Sequence, residues 1–409
     1  MKLVTGDTLW TKINDVLNQY PYLTEDTQCD VIIIGAGVTG ALCAYTFAKE
    51  NINTVLIDKS IIGYGSTRGC TAILEYAIDT NLHELTAMIG QENAVTCFKE
   101  TANGLYAIEK IVQDLDDDCA FKIKDCLYYT YKDQDINTIK NEYELRKNNG
   151  FQVSYMDAES AKDKFSFALV GGIYSHKLCG EIDPYRFTHA LIRKGVSCGL
   201  KVYENTDALE ITSTNDGMTI KTANDFTIKA KKVIMAKGYE LRKYFDKKTA
   251  LLTRSFNIVT KPITNPEGWY QQCVIRDMDD PYIYVRGTAD GRIIMGGEDE
   301  SLGGERSKMS NLTQDDPLSV QKYQVLLDKL KKLFPKIPNL EIDYAFSGYF
   351  GETKDGLPYI GEHHDYPNHY FCMAYGSNGV INGVLGSHMI LDLYRGKSSK
   401  LHELFSLER

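Results

Sequence analysis

The chain has 409 residues, 43% of them hydrophobic and 25% charged, with a formal net charge of −9; that length predicts two domains rather than one simple core. The acidic balance argues against nucleic acid or an anionic membrane surface as partner, and no apolar run is long enough to span a bilayer. Ten cysteines without a C-x-x-C pair form neither a disulfide framework nor a zinc site, so no metal is expected and most read as small buried hydrophobes.

The N-terminal Met1-Lys-Leu-Val-Thr-Gly-Asp7 lacks the charged-then-apolar pattern of a secretion signal, so a cytoplasmic protein is expected. Leu9, Ile13, Val16, Leu17 and Tyr20 fall on one face of a helix predicted to start near Asp7 and end before Pro21. It reads as a packing arm, with partner binding as the other use. Val31 to Ile34 then form a continuous apolar run, the pattern of a parallel strand buried on both faces. Gly35, Gly37 and Gly40 follow as G-x-G-x-x-G, and Ala41 to Ala48 reads as a helix. The glycines provide a tight turn, close approach to a pyrophosphate and close helix–strand packing. The phosphates sit on free N–H groups at the positive end of the helix dipole. A second run, Thr54 to Ile57, ends in Asp58, placed to accept from a ribose hydroxyl. Strand, glycines, helix, strand and acid in that order indicate a dinucleotide-binding unit.

Ile61 to Leu74 is rich in Gly, Ser and Thr, which suits close approach by a flat polar ring or a second phosphate, or equally an ordinary surface loop. Helices are predicted over 91–115 and 137–149, with a strand from Phe121 to Tyr131 between them; this block breaks the βαβ rhythm and reads as an insertion. Gly171 to Leu200 reads as a return to the nucleotide unit, with Asp183 capping Pro184 and Gly199 closing a helix. Short strands are expected at Lys201–Glu204, Ala208–Thr212 and Met218–Thr222, with Asn215-Asp-Gly217 as a hairpin turn, and then Val233 to Gly238. Residues 250–300 are strand-rich: Phe256–Lys261, Cys273–Arg276, Tyr282–Arg286 and Arg292–Gly297, before a helix capped by Asp316 with Pro317. A final strand from Phe371 ends in Gly376-Ser-Asn-Gly379 before a helix through Tyr394. Pointed at a flavin's N1/C2=O edge, that second helix N-terminus would stabilise negative charge on the reduced ring.

Five motifs taken together resemble the FAD-dependent D-amino-acid oxidase superfamily: Gly35-Ala-Gly-Val-Thr-Gly40 with Asp58, Gly65-Ser-Thr67, Ala236-Lys-Gly238, Thr353-Lys-Asp-Gly-Leu-Pro-Tyr-Ile-Gly361, and Gly376-Ser-Asn-Gly-Val380. The resemblance implies an α/β fold: a Rossmann-like FAD-binding domain of the GR2 type (residues 1–85, 155–248 and 345–409) and an α+β substrate domain on a mixed or antiparallel sheet (86–154 and 249–344). It implies non-covalent FAD. Gly35, Gly37 and Gly40 would line the pyrophosphate and Asp58 would hold the adenosine ribose, with Val38, Thr39 and Lys59 also at the cofactor. Gly65, Ser66 and Thr67 would lie near the phosphates or flavin, Val202 near the adenine, and Ala236 and Gly238 where the backbone approaches the cofactor. Gly376, Asn378, Gly379, Val380 and Ile381 would meet the pyrimidine side of the ring. The implied chemistry is hydride transfer from an amine-bearing carbon to flavin N5, giving an imine, with reoxidation by O₂ to peroxide.

Tyr282, Arg286 and Glu352 are the catalytic-site candidates. Tyr282 and Tyr284 share a face by pleating; Arg286 is read as a substrate contact or a structural ion pair, and Glu352 as a partner for a distal ammonium or a solvated loop carboxylate. Lys354 and Asp355 shape a turn or take part in the chemistry, Cys70 reads as a structural thiol, and His363-His364 as solvated. Glycine-oxidase-like members place a carboxylate-binding arginine where this chain has Phe350, which cannot form a bidentate charge pair; an amine or polyamine-like substrate therefore gains weight over an α-amino acid, unless Arg286 or Arg68 takes over. The covalent-FAD cysteine of sarcosine oxidases falls at about Gly348, and their oxygen-activating lysine at Ile294. A dehydrogenase passing electrons to a quinone or partner protein is thus the rival reading, and a non-catalytic flavin-binding redox module the third.

Overall fold

In the computed structural model, which describes residues 3–214, 217–245, 250–301 and 315–409, two sheets face a common cleft. In the smaller, Thr27–Ile34 runs between Thr54–Ile57 and Thr227–Met235, all parallel, and Thr227–Met235 pairs in turn with His369–Met373. Val31, Ile32, Ile33 and Ile34 are all buried, as a strand covered on both faces requires. Helix Val38–Lys49 leaves the end of the first strand and packs on helices Pro184–Ser197 and Gly379–Tyr394. Asp183 caps Pro184–Ser197 by accepting from the Tyr185 and Arg186 amides. Of the anticipated hairpin turn, Asn215 and Asp216 lie outside the described residues, and the flanking Thr214 pairs with Gly217.

The larger sheet is mixed. Its order is Val4–Gly6, Ile342–Glu352, Leu251–Thr260, Ile293–Ser301, Ile283–Gly287, Val274–Asp277, Lys122–Thr130, Gly171–Glu181 and Ile73–Glu75, with Val153–Met156 branching from Gly171–Glu181. This moves four strands across the expected domain boundaries. Val4–Gly6, Ile73–Glu75, Gly171–Glu181 and most of Ile342–Glu352, assigned by sequence to the nucleotide side, pair in the second sheet. Gly171–Glu181 is held there by a long antiparallel ladder to Lys122–Thr130, so the chain re-enters the nucleotide side only at the Asp183 cap. Conversely, the 24-residue helix Gln91–Asp114, assigned by sequence to the substrate domain, packs on the nucleotide side: a Cβ at Gly104 would lie 2.6 Å from Ile381 Cγ2.

The N-terminal arm also differs. Only Trp10–Ile13 is helical, and the backbone turns extended at Asn14 (φ −115°, ψ 139°). Asn14 Nδ2 donates to Trp10 O (2.9 Å) and to Asp183 Oδ2 (2.7 Å), while the Tyr20 amide donates to Glu204 Oε2 (2.9 Å) and the Leu23 amide to Thr206 Oγ1 (3.1 Å). These long-range bonds hold the arm along the nucleotide domain and override the apolar periodicity, leaving Ile13 and Val16 exposed.

A buried ion pair braces the second sheet beneath the cleft. Arg146 Nε donates to Glu142 Oε1 at 2.7 Å with both side chains almost fully buried, and Arg146 Nη1 donates to Tyr76 Oη at 3.0 Å. Burial alone would raise the Glu142 carboxyl, but Arg146 and the His83 and Leu82 donors hold it below its ordinary range. The same guanidinium lies 5.8 Å from the Tyr128 ring. Glu142→Ala leaves that cation buried and unpaired, and should cost roughly 3–5 kcal/mol. Urea unfolding is expected to show a lowered midpoint at unchanged slope; an unaltered midpoint would contradict the bracing role.

Candidate active site

A cavity of ≈ 490 Å³ runs from the carboxyl ends of the parallel strands to the face of the larger sheet. At its nucleotide end the backbone is unusually close. Gly35 has φ +108°, and a Cβ there would lie 2.5 Å from Ala236 O; a Cβ at Gly40 would lie 1.7 Å from Gly35 O. Gly37 faces the cavity at the start of the helix, where a Cβ would come 3.1 Å from Thr67 Oγ1. Thr67 Oγ1 accepts from the Val38 amide (3.0 Å). Asp58 Oδ2 accepts from Ala36 N (2.6 Å) and Oδ1 from Ser60 N (2.8 Å). Burial raises the Asp58 carboxyl, against the pull of those two amides. Ser66 Oγ and Arg68 Nε are buried here without a hydrogen-bond partner among the described residues.

Of the residues anticipated at the cofactor, Gly35, Gly37, Val38, Thr39, Asp58, Lys59, Gly65, Ser66 and Thr67 line this cavity, as do Ala236, Gly238, Gly376, Asn378, Gly379 and Val380. Gly40, Val202 and Ile381 do not. Gly40 lies under the helix, against Gly35; Val202 is buried in a strand paired with Leu56, and Thr206, Asp207 and Ala208 reach the cavity in its place; Ile381 packs against Gly104.

At the other end, Tyr282 and Tyr284 form one wall, their rings 6.1 Å apart. Tyr284 Oη donates to Asn257 Oδ1 (2.9 Å) and lies 3.3 Å from Ser255 Oγ. Arg286, two residues on, lies beyond the lining: Nη1 donates to the Thr71, Ala72 and Ile182 carbonyls (2.9, 2.8 and 3.1 Å) and Nε to Gly287 O (2.8 Å). Its donors tie the loop after Gly69 to the sheet. Glu352 ends its strand outside the lining, and burial raises its carboxyl against the pull of Thr253. Ile294 is fully buried against Leu9, Trp10 and Tyr185. Cys70 lines the cavity with its thiol pushed up by burial. Asp355 accepts from Arg409 and from the Leu357 amide, fixing a turn. His363, His364 and Asp365 bring potential ligand atoms within 4.8 Å of one another on the surface, outside the cavity.

Sequence reasoning missed Glu75, Asp79 and Arg276, all of which line the cavity. Asp79 accepts from the Ser377 amide (2.9 Å) and hydroxyl, and Asn378 Nδ2 donates to Ala77 O (2.7 Å). Residues 77–79 thus clip the loop that starts the C-terminal helix. The Arg276 guanidinium lies 4.8 Å from the Tyr282 ring and 5.6 Å from the Tyr128 ring, with Nη1 4.0 Å from Asp79 Oδ1. Alternation within Val274–Asp277 would have put Arg276 on one face of the sheet; only the tertiary structure shows that this face is the cleft. Behind Tyr282 and Ser255, burial raises the Asp299 carboxyl to about 7, with Glu352 and Asp79 adding to the effect and Ser255 and Tyr282 opposing it.

Comparison with known proteins fits this geometry. The family of FAD-dependent oxidoreductases named DAO matches residues 30–393. A putative Rieske 2Fe-2S iron-sulfur protein of Bacillus subtilis (strain 168) is 26% identical over 98% of this chain and 75% of its own length. The gamma-glutamylputrescine oxidoreductase of Escherichia coli (strain K12) is 26% identical over 94% of this chain and 88% of its own. The crystal structure of glycine oxidase from Geobacillus kaustophilus superposes with a TM-score of 0.76 at 20% identity, covering 93% of this chain and 98% of the other. With most of its length matched and a dinucleotide cradle opening into a second chamber, the chain belongs to the DAO family of FAD-dependent oxidoreductases.

Proposed function

We propose that this chain oxidises a C–N bond of an amine or amino acid to an imine. The observation that carries the reading is the single cavity joining the glycine cradle to a chamber walled by Tyr282 and Tyr284 and edged by carboxylates. The cradle fits FAD on its own terms: Gly37 leaves open the space beside Thr67 that a side chain would fill, and Ser66 Oγ and Arg68 Nε are donors awaiting acceptors. When bound, FAD supplies the hydride acceptor. The chain's residues do the rest. Gly37, Val38 and Thr39 offer the helix N-terminus to the phosphates, and the Asp79–Ser377 clip fixes the loop of the C-terminal helix. The tyrosine walls exclude water and, by desolvation, favour the neutral amine from which a hydride leaves readily. Glu75 and Asp79 in the lining, and the Asp299 carboxyl next to Tyr282 and Ser255, attract a cationic amine to the chamber.

For the electron acceptor, O₂ is the first reading. A protein acceptor is favoured by two observations: the apolar burial of Ile294, where the resemblance calls for an oxygen-activating lysine, and the iron–sulfur name carried by a relative that spans nearly all of this chain. Anaerobic titration of the FAD-loaded protein with amines and amino acids tests the proposal. Bleaching of the flavin is expected, and fast recolouring in air with peroxide marks an oxidase, slow recolouring a dehydrogenase. A flavin that no amine reduces would leave only a binding module.

Two further outcomes follow from the geometry. Gly37→Leu places a branched side chain against Thr67 and should abolish FAD uptake while leaving the far-UV circular dichroism intact; normal FAD binding would refute the cradle. Asp299 gains its charge as pH rises through about 7, so KM for a cationic amine should fall across that interval. Asp299→Asn should flatten this limb, and a limb that persists unchanged assigns it to another group.

A further inference from the structure

Arg276, a cavity-lining residue whose side chain is 17% exposed, differs from the buried arginines in what its donors meet. Arg146, Arg254 and Arg286 each hydrogen-bond carboxylates, hydroxyls or carbonyls. Arg276 makes no side-chain hydrogen bond to any described residue, and its Nε is buried without a partner. The nearest carboxylate, Asp79, stands 4.0 Å away, with both its oxygens already accepting from Ser377. The guanidinium instead lies over the Tyr282 and Tyr128 rings, 4.8 and 5.6 Å from their centroids. Tyr128 is backed in turn by the Arg146 pair. Burial alone would weaken the charge, but Glu75 and Asp79 keep it on. A guanidinium carries five donors, and leaving the buried Nε donor unmade is costly. Its planar fork matches a carboxylate in a bidentate pair.

We propose that Arg276 anchors the carboxylate of the substrate. The inference rests on the amine-oxidising reading above and narrows it to amines that carry a carboxylate. Phe350, which occupies the position of the arginine in glycine-oxidase-like relatives, also lines the cavity. Three strands separate its strand from Val274–Asp277 in the sheet. The substrate carboxylate therefore docks on the opposite flank of the chamber, beside the clip formed by Asp79 and Ser377. The neighbouring Glu75 and Asp79 set the charge of the ligand as well. They neutralise part of the guanidinium field, which leaves room for a monoanion and disfavours a phosphate dianion, and they favour a ligand that brings its own ammonium.

Binding of benzoate, an unreactive monoanion, against its uncharged counterpart benzamide tests the anchor, read as the perturbation of the flavin absorption band in the FAD-loaded protein. Benzoate is expected to bind and benzamide to bind at least about tenfold more weakly, the worth of a charge-assisted pair. Arg276→Gln should abolish the difference, Arg276→Lys should restore part of it, and inorganic phosphate should not compete. Equal binding of benzoate and benzamide by the wild-type protein overturns the proposal without any variant. So does a benzoate affinity in Arg276→Gln within twofold of wild type, or strong competition by phosphate. Should Arg276→Gln fail to load FAD, the wild-type pair and Arg276→Lys decide. Flavin reduction by amines together with benzoate binding indifferent to position 276 would remove the anchor alone. Benzoate binding that needs Arg276 with no reduction by any amine would remove the oxidation reading instead.

Discussion

Everything in the cleft depends on the contact between Gly40 and the Gly35 carbonyl. With no room for a Cβ at Gly40, helix Val38–Lys49 can lie directly on the strand that precedes it. Gly35 is pressed in turn on Ala236, where a Cβ would lie 2.5 Å from the carbonyl oxygen, which fixes Thr227–Met235 beside the same turn. Gly383 of the C-terminal helix meets Leu42 and Thr39 on the other side of the helix. Segments from the beginning, middle and end of the sequence are thus brought to one point, and Gly37 and Val38 line the cavity at the start of the helix held there.

The second chamber is governed by charge more than by shape. Glu75 and Asp79 stand beside the Arg276 guanidinium, which makes no side-chain hydrogen bond to any described residue, and the aromatic walls lower the local dielectric so that each charge acts at greater strength. Asp79 connects the two halves of the cavity. It lies beside Arg276 and holds Ser377 in the loop that begins Gly379–Tyr394.

The nucleotide unit was legible in the sequence because its signals are local. An apolar run, glycines at fixed spacing and a following helix read the same in one dimension as in three, and the caps at Asp183–Pro184 and Asp316–Pro317 mark helix starts by side-chain chemistry within a few residues. What was not legible depends on distant partners. The apolar stripe from Leu9 to Tyr20 is compatible with a helix until Asp183 and Glu204 draw the chain away from it. Gly171–Glu181 carries nothing that says which sheet it joins. Arg276 and Arg286 look alike as strand arginines, and only the carbonyls of Thr71, Ala72 and Ile182 distinguish the structural one. Asp79 follows an undistinguished stretch, and its importance arises from Ser377, almost the whole chain away.

A crystal structure of the FAD-loaded protein tests the central claim most directly. The pyrophosphate is expected beside Gly37 at the N-terminus of helix Val38–Lys49, the ribose at Asp58, and the isoalloxazine ring between the Gly376–Gly379 loop and the Tyr282–Tyr284 wall, with Arg276 opening onto the remaining space. FAD bound with its ring outside that chamber, or a protein that takes up no FAD, would contradict it.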